Sequence, residues 1–89
     1  QYVAEGVELF AAGSDPDGEA YARALSSALV ELPVEQRAVV HLKLWEGLTF
    51  EAIAEALEIP TNTAASRYRY GIDKLRARLR PFYDEIKQA

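Results

Sequence analysis

The chain of 89 residues contains no cysteine, no methionine and a single histidine, His41. Without cysteine it can form neither a disulfide framework, nor a thiolate zinc site, nor a cysteine nucleophile. One histidine excludes a metal site built from several histidines. No apolar run approaches the ~20 residues that span a bilayer, and no signal peptide is visible at the start. These absences predict a cytoplasmic protein without metal, cofactor or membrane partner.

The length limits the fold to one small domain with a modest core. A hydrophobic fraction of 49% and a charged fraction of 27% are ordinary for a folded domain, and they argue against disorder throughout the chain. A domain of this size buries only about 60% of its unfolded surface, so we expect marginal stability without a partner. Because the chain begins with Gln1 instead of methionine, we expect it to be a piece of something longer.

The distribution of charge says more than the net value of −4. Taken alone, an acidic sum leans away from nucleic acid. Residues 1–36, however, carry seven acids and one base, whereas residues 61–80 carry six bases and one acid. Such asymmetry indicates a nucleic-acid face in the basic segment.

The whole chain is predicted to be helical, because Ala, Leu, Glu and Arg dominate and period-two alternation is missing. Apolar spacing and capping residues predict helices over about 16–31, 33–46, 50–57 and 61–80. The helix over 33–46 is apolar nearly all round, so it should be the central element. Thr49 is predicted to cap the third helix, and Thr61 or Asn62 the fourth. Pro81 should end or kink the last helix.

The two ends of the chain flank the predicted domain of residues 19–80. Residues 1–18 are predicted to be an arm or linker, in which apolar residues at helical spacing are compatible with a short helix over 2–12. Residues 81–89 are predicted to be a tail that includes a last helical turn or two. Either the apolar residues of these ends pack on each other, which we favour, or they form a docking surface; they are Val3, Val7, Phe10, Phe82, Tyr83 and Ile86.

A short helix, a tight turn over 58–60 and a longer basic helix form the pattern of a helix-turn-helix. The first helix buttresses the second, and the second presents its N-terminal turns to base edges in the major groove. The predicted fold is therefore an all-α bundle of four to five helices that contains a helix-turn-helix. No glycine-rich phosphate loop, triad or carboxylate pair on a recognisable scaffold indicates a catalytic residue.

Several residue blocks occur together over about residues 20–80. They are Leu32-Pro33, Arg37, Glu46-Gly47-Leu48-Thr49-Phe50, Ile53-Ala54, Ile59-Pro60, Asn62-Thr63 and Ser66-Arg67. In this combination the chain resembles region four of bacterial RNA polymerase sigma factors, the C-terminal DNA-binding domain, and within that family the extracytoplasmic-function group.

The resemblance implies a role in transcription initiation. The helix beginning near Thr61 would bind the −35 element of promoter DNA, while the domain docks on the β flap of the RNA polymerase core and is open to capture by an anti-sigma factor. The positions that would meet bases or phosphates are Thr49, Thr63, Ser66, Arg67, Arg69 and Tyr70. Lys74 joins these candidates because helical spacing puts it on the stripe of Arg67 and Tyr70.

Departures from the family pattern leave the base sequence open. Ala65 stands where a basic residue is frequent, and Tyr70 where an arginine is common. One alternative is a protein-interaction module of the same fold that binds polymerase or an anti-sigma factor without reading DNA. Another is a different helix-turn-helix regulator, such as a response-regulator output domain.

Individual side chains also have structural interpretations. Arg67 either contacts DNA or turns inward to brace the motif, and Tyr70 is balanced between DNA contact and a plain surface position. Tyr68 and Trp45 are predicted to lie in the core. His41 is predicted to lie on the surface beside Arg37.

Overall fold

The computed structural model describes the backbone of residues 18–88 and the side chains of residues 19–81. Four helices follow one another: α1 (Gly18–Glu31), α2 (Val34–Leu44), α3 (Phe50–Leu57) and α4 (Thr61–Gln88). No strand occurs within this part of the chain. The all-α fold with its helix-turn-helix is thereby confirmed, whereas the arm and short helix predicted before residue 18 lie outside the described residues.

The core forms around one stripe of α4, which contacts each of the other three helices. This stripe, predicted from helical spacing, is buried over its full length and consists of Ala64, Tyr68, Ile72, Leu75 and Leu79. α1 contributes a matching stripe of Tyr21, Leu25, Ala28 and Leu32. Val39 and Val40 of α2 are fully buried, but α4, and not α2 as predicted, is the central element.

The crossing of α2 and α4 is close because α4 has a glycine at the contact. A Cβ atom added at Gly71 would lie 2.8 Å from Cγ2 of Val40 and 3.5 Å from Cβ of Gln36. The first distance is shorter than real Cβ contacts allow, so only glycine fits without movement of α2. This position fixes how deeply the two helices pack.

Arg37 joins the end of α1 to α2 across the Leu32-Pro33 connection. Its Nη2 donates to the carbonyls of Val30 at 3.0 Å and of Leu32 at 3.1 Å. The last carbonyls of a helix lack intrahelical partners and carry partial negative charge. α1 has no basic residue in its own last turn, so Arg37 supplies that cation from the neighbouring helix. The side chain is half-buried and is not a purely exposed neighbour of His41.

The turn of the helix-turn-helix is set by Glu58, whose φ of 59° lies in the left-handed region. Its N–H donates to Glu55, and the N–H of Ile59 donates to the carbonyl of Ala54 at 3.0 Å. These two bonds form a Schellman motif that ends α3. α4 then begins at Thr61, with the carbonyl of Pro60 accepting from Thr63 and Ala64. The cap position is therefore Pro60, and the prediction of a cap at Thr61 or Asn62 is wrong.

Of the two outcomes predicted at Pro81, an end or a kink of α4, the end does not occur, because α4 continues to Gln88. A proline inside a helix removes one hydrogen bond but need not stop the helix when its neighbours hold it. Residues 81–88 thus extend the recognition helix itself. Trp45 is 50% exposed and stacks on His41, with ring centroids 5.6 Å apart. The prediction that Trp45 lies in the core is wrong, because Trp45 follows His41 by four residues and shares its exposed face.

Candidate nucleic-acid interface

The first ten residues of α4 present an outward face opposite the buried stripe. Residues spaced by three, four or seven share a helix face, and this rule groups Asn62, Ser66, Arg69 and Asp73, with Tyr70 at the border. All except Ser66 are exposed, and Ser66 is half-buried. The resulting surface combines an amide, a hydroxyl, a guanidinium, a phenol and the carboxylate of Asp73.

Arg69 and Tyr70 are the most prominent members of this face. Nη2 of Arg69 lies 3.5 Å from Oγ of Ser66, so the hydroxyl restrains the arginine one turn away. Tyr70 is 56% exposed. A large aromatic ring held in water without cover is available for contact with a ligand. Tyr68, by contrast, is buried as predicted.

A second stripe of α4 turns toward α1 and α2. Nζ of Lys74 lies 3.4 Å from Oε1 of Gln36 on α2, and Arg78 forms an ion pair with Glu31 of α1. Helical spacing places Arg67 on this stripe, two turns before Lys74, and Arg67 is half-buried. The structure therefore places Lys74 on this second stripe and not on the outward face. In the sequence, Lys74 and Arg69 belong to the same basic segment.

The N-terminus of α3 packs beside the second turn of α4, where Phe50 meets Tyr68. Thr49 caps α3, its Oγ1 accepting from the N–H of Ala52 at 3.1 Å, as predicted. The ring of Phe50 meets Tyr68 edge to face, with centroids 5.5 Å apart. Because Thr49 precedes Phe50, its exposed hydroxyl lies near the second turn of α4. A hydroxyl that accepts from Ala52 still has its own hydrogen to donate.

Two residues near this surface were missed as candidates. Asn62 is exposed in the first turn of α4, and its side chain hydrogen-bonds to no other described residue. Its amide can both donate and accept, and the signal was its spacing of four and seven from Ser66 and Arg69. Lys43 holds its ammonium 4.4 Å from the centre of the Phe50 ring. Only the fold brings this cation to the start of α3, so spacing along the sequence gave no signal for it.

An apolar groove lies along α2, with a volume of about 490 Å³. It is lined by Val34, Arg37, Ala38, His41, Leu42 and Leu57. Val34 is 63% exposed. His41 is exposed as predicted, and its Nε2 lies 3.5 Å from a carboxylate oxygen of Glu46. Exposed valine beside an open apolar groove marks a surface that suits contact with another protein.

Neither membrane nor metal features appear in the part of the chain that the structure describes. No helix there is long and apolar enough to cross a bilayer. No group of three or more His, Asp or Glu side chains among the described residues could hold a metal ion.

The fold and the surface define a class of protein. A short helix, a tight turn and an exposed arginine-bearing helix within a small bundle form a helix-turn-helix DNA-binding domain. The sequence profile of the family described as "Sigma-70, region 4" matches residues 22–75, more than half of the chain. The chain belongs to this family. No curated protein matches the chain.

Family membership fixes the general role. The chain is a DNA-binding module of a sigma factor, a component of transcription initiation that works with RNA polymerase, and the family is not one of enzymes. The matched range coincides with α1, α2, α3 and the buried portion of α4 up to Leu75. The likeness to the extracytoplasmic-function group stays a prediction.

Proposed function

We propose that this domain binds the −35 element of promoter DNA in the major groove and docks on the β flap of RNA polymerase in the cytoplasm. α4 enters the groove with its N-terminal turns, and α3 lies across the backbone. The observation that carries the proposal is the outward face of α4, where Ser66, Arg69 and Tyr70 stand clear of the core at one end of a long helix. The major groove is wide enough for one such helix.

The side chains have separate expected roles. Arg69 suits bidentate contact with guanine, and the Tyr70 ring suits apolar contact with a thymine methyl group or a sugar. Thr49 at the start of α3 donates to a phosphate, where the positive end of the helix dipole also favours an anion. Thr63 and Ser66 add hydroxyl contacts in the first two turns. Arg67 reaches a phosphate from the border of the face.

Lys74 requires a revised role within this proposal. It is exposed, yet its ammonium is directed to Gln36 on α2. A contact with DNA would cost this hydrogen bond and would lie about three turns beyond Thr63. We therefore expect Lys74 to contribute general positive potential, and we expect its replacement to weaken DNA binding less than that of Arg69.

The DNA experiment begins by selecting bound duplexes from a random pool in the presence of polymerase. Arg69→Ala is then compared with Arg80→Ala, which removes the same exposed cation about 16 Å farther along α4. Loss of a bidentate guanine contact should cost about 1–3 kcal/mol, and the loss should concentrate at one base pair. Equal effects of the two variants would contradict placement of the first turns of α4 in the groove.

The apolar groove on α2 is the proposed site for polymerase. Val34→Glu places a charge at the groove, whereas Val30→Glu places the same charge on α1, where Val30 is similarly exposed but does not line the groove. Both side chains are exposed, so neither variant should unfold the domain. Only Val34→Glu should weaken capture by purified polymerase core. Equal weakening by both variants would move the docking site elsewhere.

The groove also favours a second candidate function, docking on polymerase or an anti-sigma factor without DNA readout. This function needs the apolar surface around Val34 and Leu42 but not the outward face of α4. It predicts that the β flap is captured while the random pool yields no enriched duplex. Enrichment that depends on Arg69 would exclude it.

A further inference from the structure

The recognition helix carries one carboxylate among its described side chains, and this carboxylate stands on the outward face. Asp73 follows Arg69 by four residues and Ser66 by seven, so it continues their line along α4. Its side chain is 65% exposed. A carboxylate in this position faces whatever approaches the outward face next to Arg69.

Three of the four described cations after Tyr70, all except Arg80, have a partner within the domain. Asp73 lies 3.9 Å from Nη1 of Arg76, Lys74 reaches Gln36 on α2, and Arg78 pairs with Glu31 on α1. Before Tyr70, in contrast, Arg69 is restrained only by a neutral hydroxyl. The charge of Arg69 is thus less compensated than the charges of Lys74, Arg76 and Arg78.

We propose that Asp73 confines DNA contact to the first ten residues of α4 and is a specificity-determining residue of this domain. Its negative charge repels phosphates that approach α4 beyond Tyr70. Contacts to phosphate supply affinity that is independent of sequence. A residue that removes such contacts raises the ratio of specific to non-specific binding. The proposal rests on the proposed binding of duplex DNA by α4.

The charge of Asp73 can be removed with little change of shape by Asp73→Asn. Glu35→Gln is the matched control, because it removes one exposed carboxylate from α2 and changes the net charge equally. The full chain is titrated with a random-sequence duplex and with the duplex selected for tightest binding, each over a series of salt concentrations. Circular dichroism confirms that each variant keeps its helices.

We expect Asp73→Asn to bind the random duplex about 3–10-fold more tightly than Glu35→Gln does. The slope of log affinity against log salt should steepen by about 0.9, the value for one added phosphate contact. The selected duplex should gain less, so the selectivity ratio falls.

Three outcomes would overturn the inference. If Asp73→Asn and Glu35→Gln behave alike, the effect is one of net charge alone. If Asp73→Asn loses affinity for the selected duplex, the carboxylate accepts a hydrogen bond from a base and does not limit the part of α4 that contacts DNA. If the unchanged chain binds no duplex, even with polymerase present, the proposed function itself fails and takes this inference with it. The first two outcomes leave the proposed function intact.

Discussion

Gly71→Ala tests whether α2 and α4 pack as closely as the structure indicates. The new methyl group would meet Cγ2 of Val40 at 2.8 Å. Val40 is fully buried, and a β-branched side chain in a helix has one strongly preferred rotamer, so it cannot rotate away. Overpacking of this kind costs about 1–3 kcal/mol. Replacing glycine by alanine in a helix contributes about 1 kcal/mol in the opposite sense.

For this variant we expect a net loss of about 1–2 kcal/mol, because a wholly buried and rigid neighbour puts the clash in the upper part of its range. Urea unfolding followed by circular dichroism measures the loss. With a slope of about 1 kcal/mol per molar urea for so small a domain, the midpoint should fall by about 1–2 M at unchanged slope. Ala77→Gly, at an exposed position of the same helix, measures the propensity contribution alone.

A double variant isolates the contact from other effects of Gly71→Ala. In a Val40→Ala background the methyl group that causes the clash is gone. Adding Gly71→Ala there should stabilise the domain by up to about 1 kcal/mol, so the effect of the second substitution changes sign. If Gly71→Ala stabilises the domain with Val40 present as well, the close packing of the two helices is refuted.

Three further substitutions test local features of the fold by the same unfolding assay. Arg37→Ala should lower the free energy of unfolding by about 2 kcal/mol, because two hydrogen bonds from a charged donor to the end of α1 are lost. Arg37→Lys should restore only part of this stability. Full restoration by lysine would show that the two-pronged guanidinium geometry is unimportant. Glu58→Gly should stabilise the domain by about 0.5–1 kcal/mol, since glycine adopts a positive φ without strain; an equal gain from Glu58→Ala would instead implicate the charge. Thr49→Ala should lower the free energy of unfolding by about 1 kcal/mol, because the cap of α3 is lost, whereas Thr49→Ser should lower it little. Equal losses from the two substitutions would refute the cap.

Features set by neighbouring residues could be predicted from the sequence. The buried stripe from Ala64 to Leu79 follows from helical spacing, and the Thr49 cap follows from a hydroxyl three residues before a free N–H. Exposure of the outward face follows from the same spacing. Such features depend on distances of a few residues along one helix, and the chain itself fixes those distances.

Features that depend on contacts between helices could not be predicted. The approach of Lys43 to Phe50 and of Lys74 to Gln36 requires the relative placement of two helices. Trp45 is assigned to the core by its apolar character, although its spacing of four from His41 places it on the same exposed face. Of the two outcomes expected at Pro81, an end or a kink of α4, the end does not occur, because the helix on both sides of Pro81 holds the chain.

The period of the helix lets α4 carry three functions with little interference between them. Its buried stripe holds the bundle together, its flank joins α1 and α2 through Arg78 and Lys74, and its outward face is left for DNA. Because these stripes are turned away from one another, substitutions on the buried stripe should change the free energy of unfolding, and substitutions on the outward face should change the affinity for DNA. We expect this domain to bind DNA weakly on its own, because its net charge is acidic and because Arg76 and Arg78 pair with carboxylates of the domain. Under the proposed function, affinity then comes from the few residues before Asp73 together with docking on polymerase, which raises the effective concentration of the domain at its site.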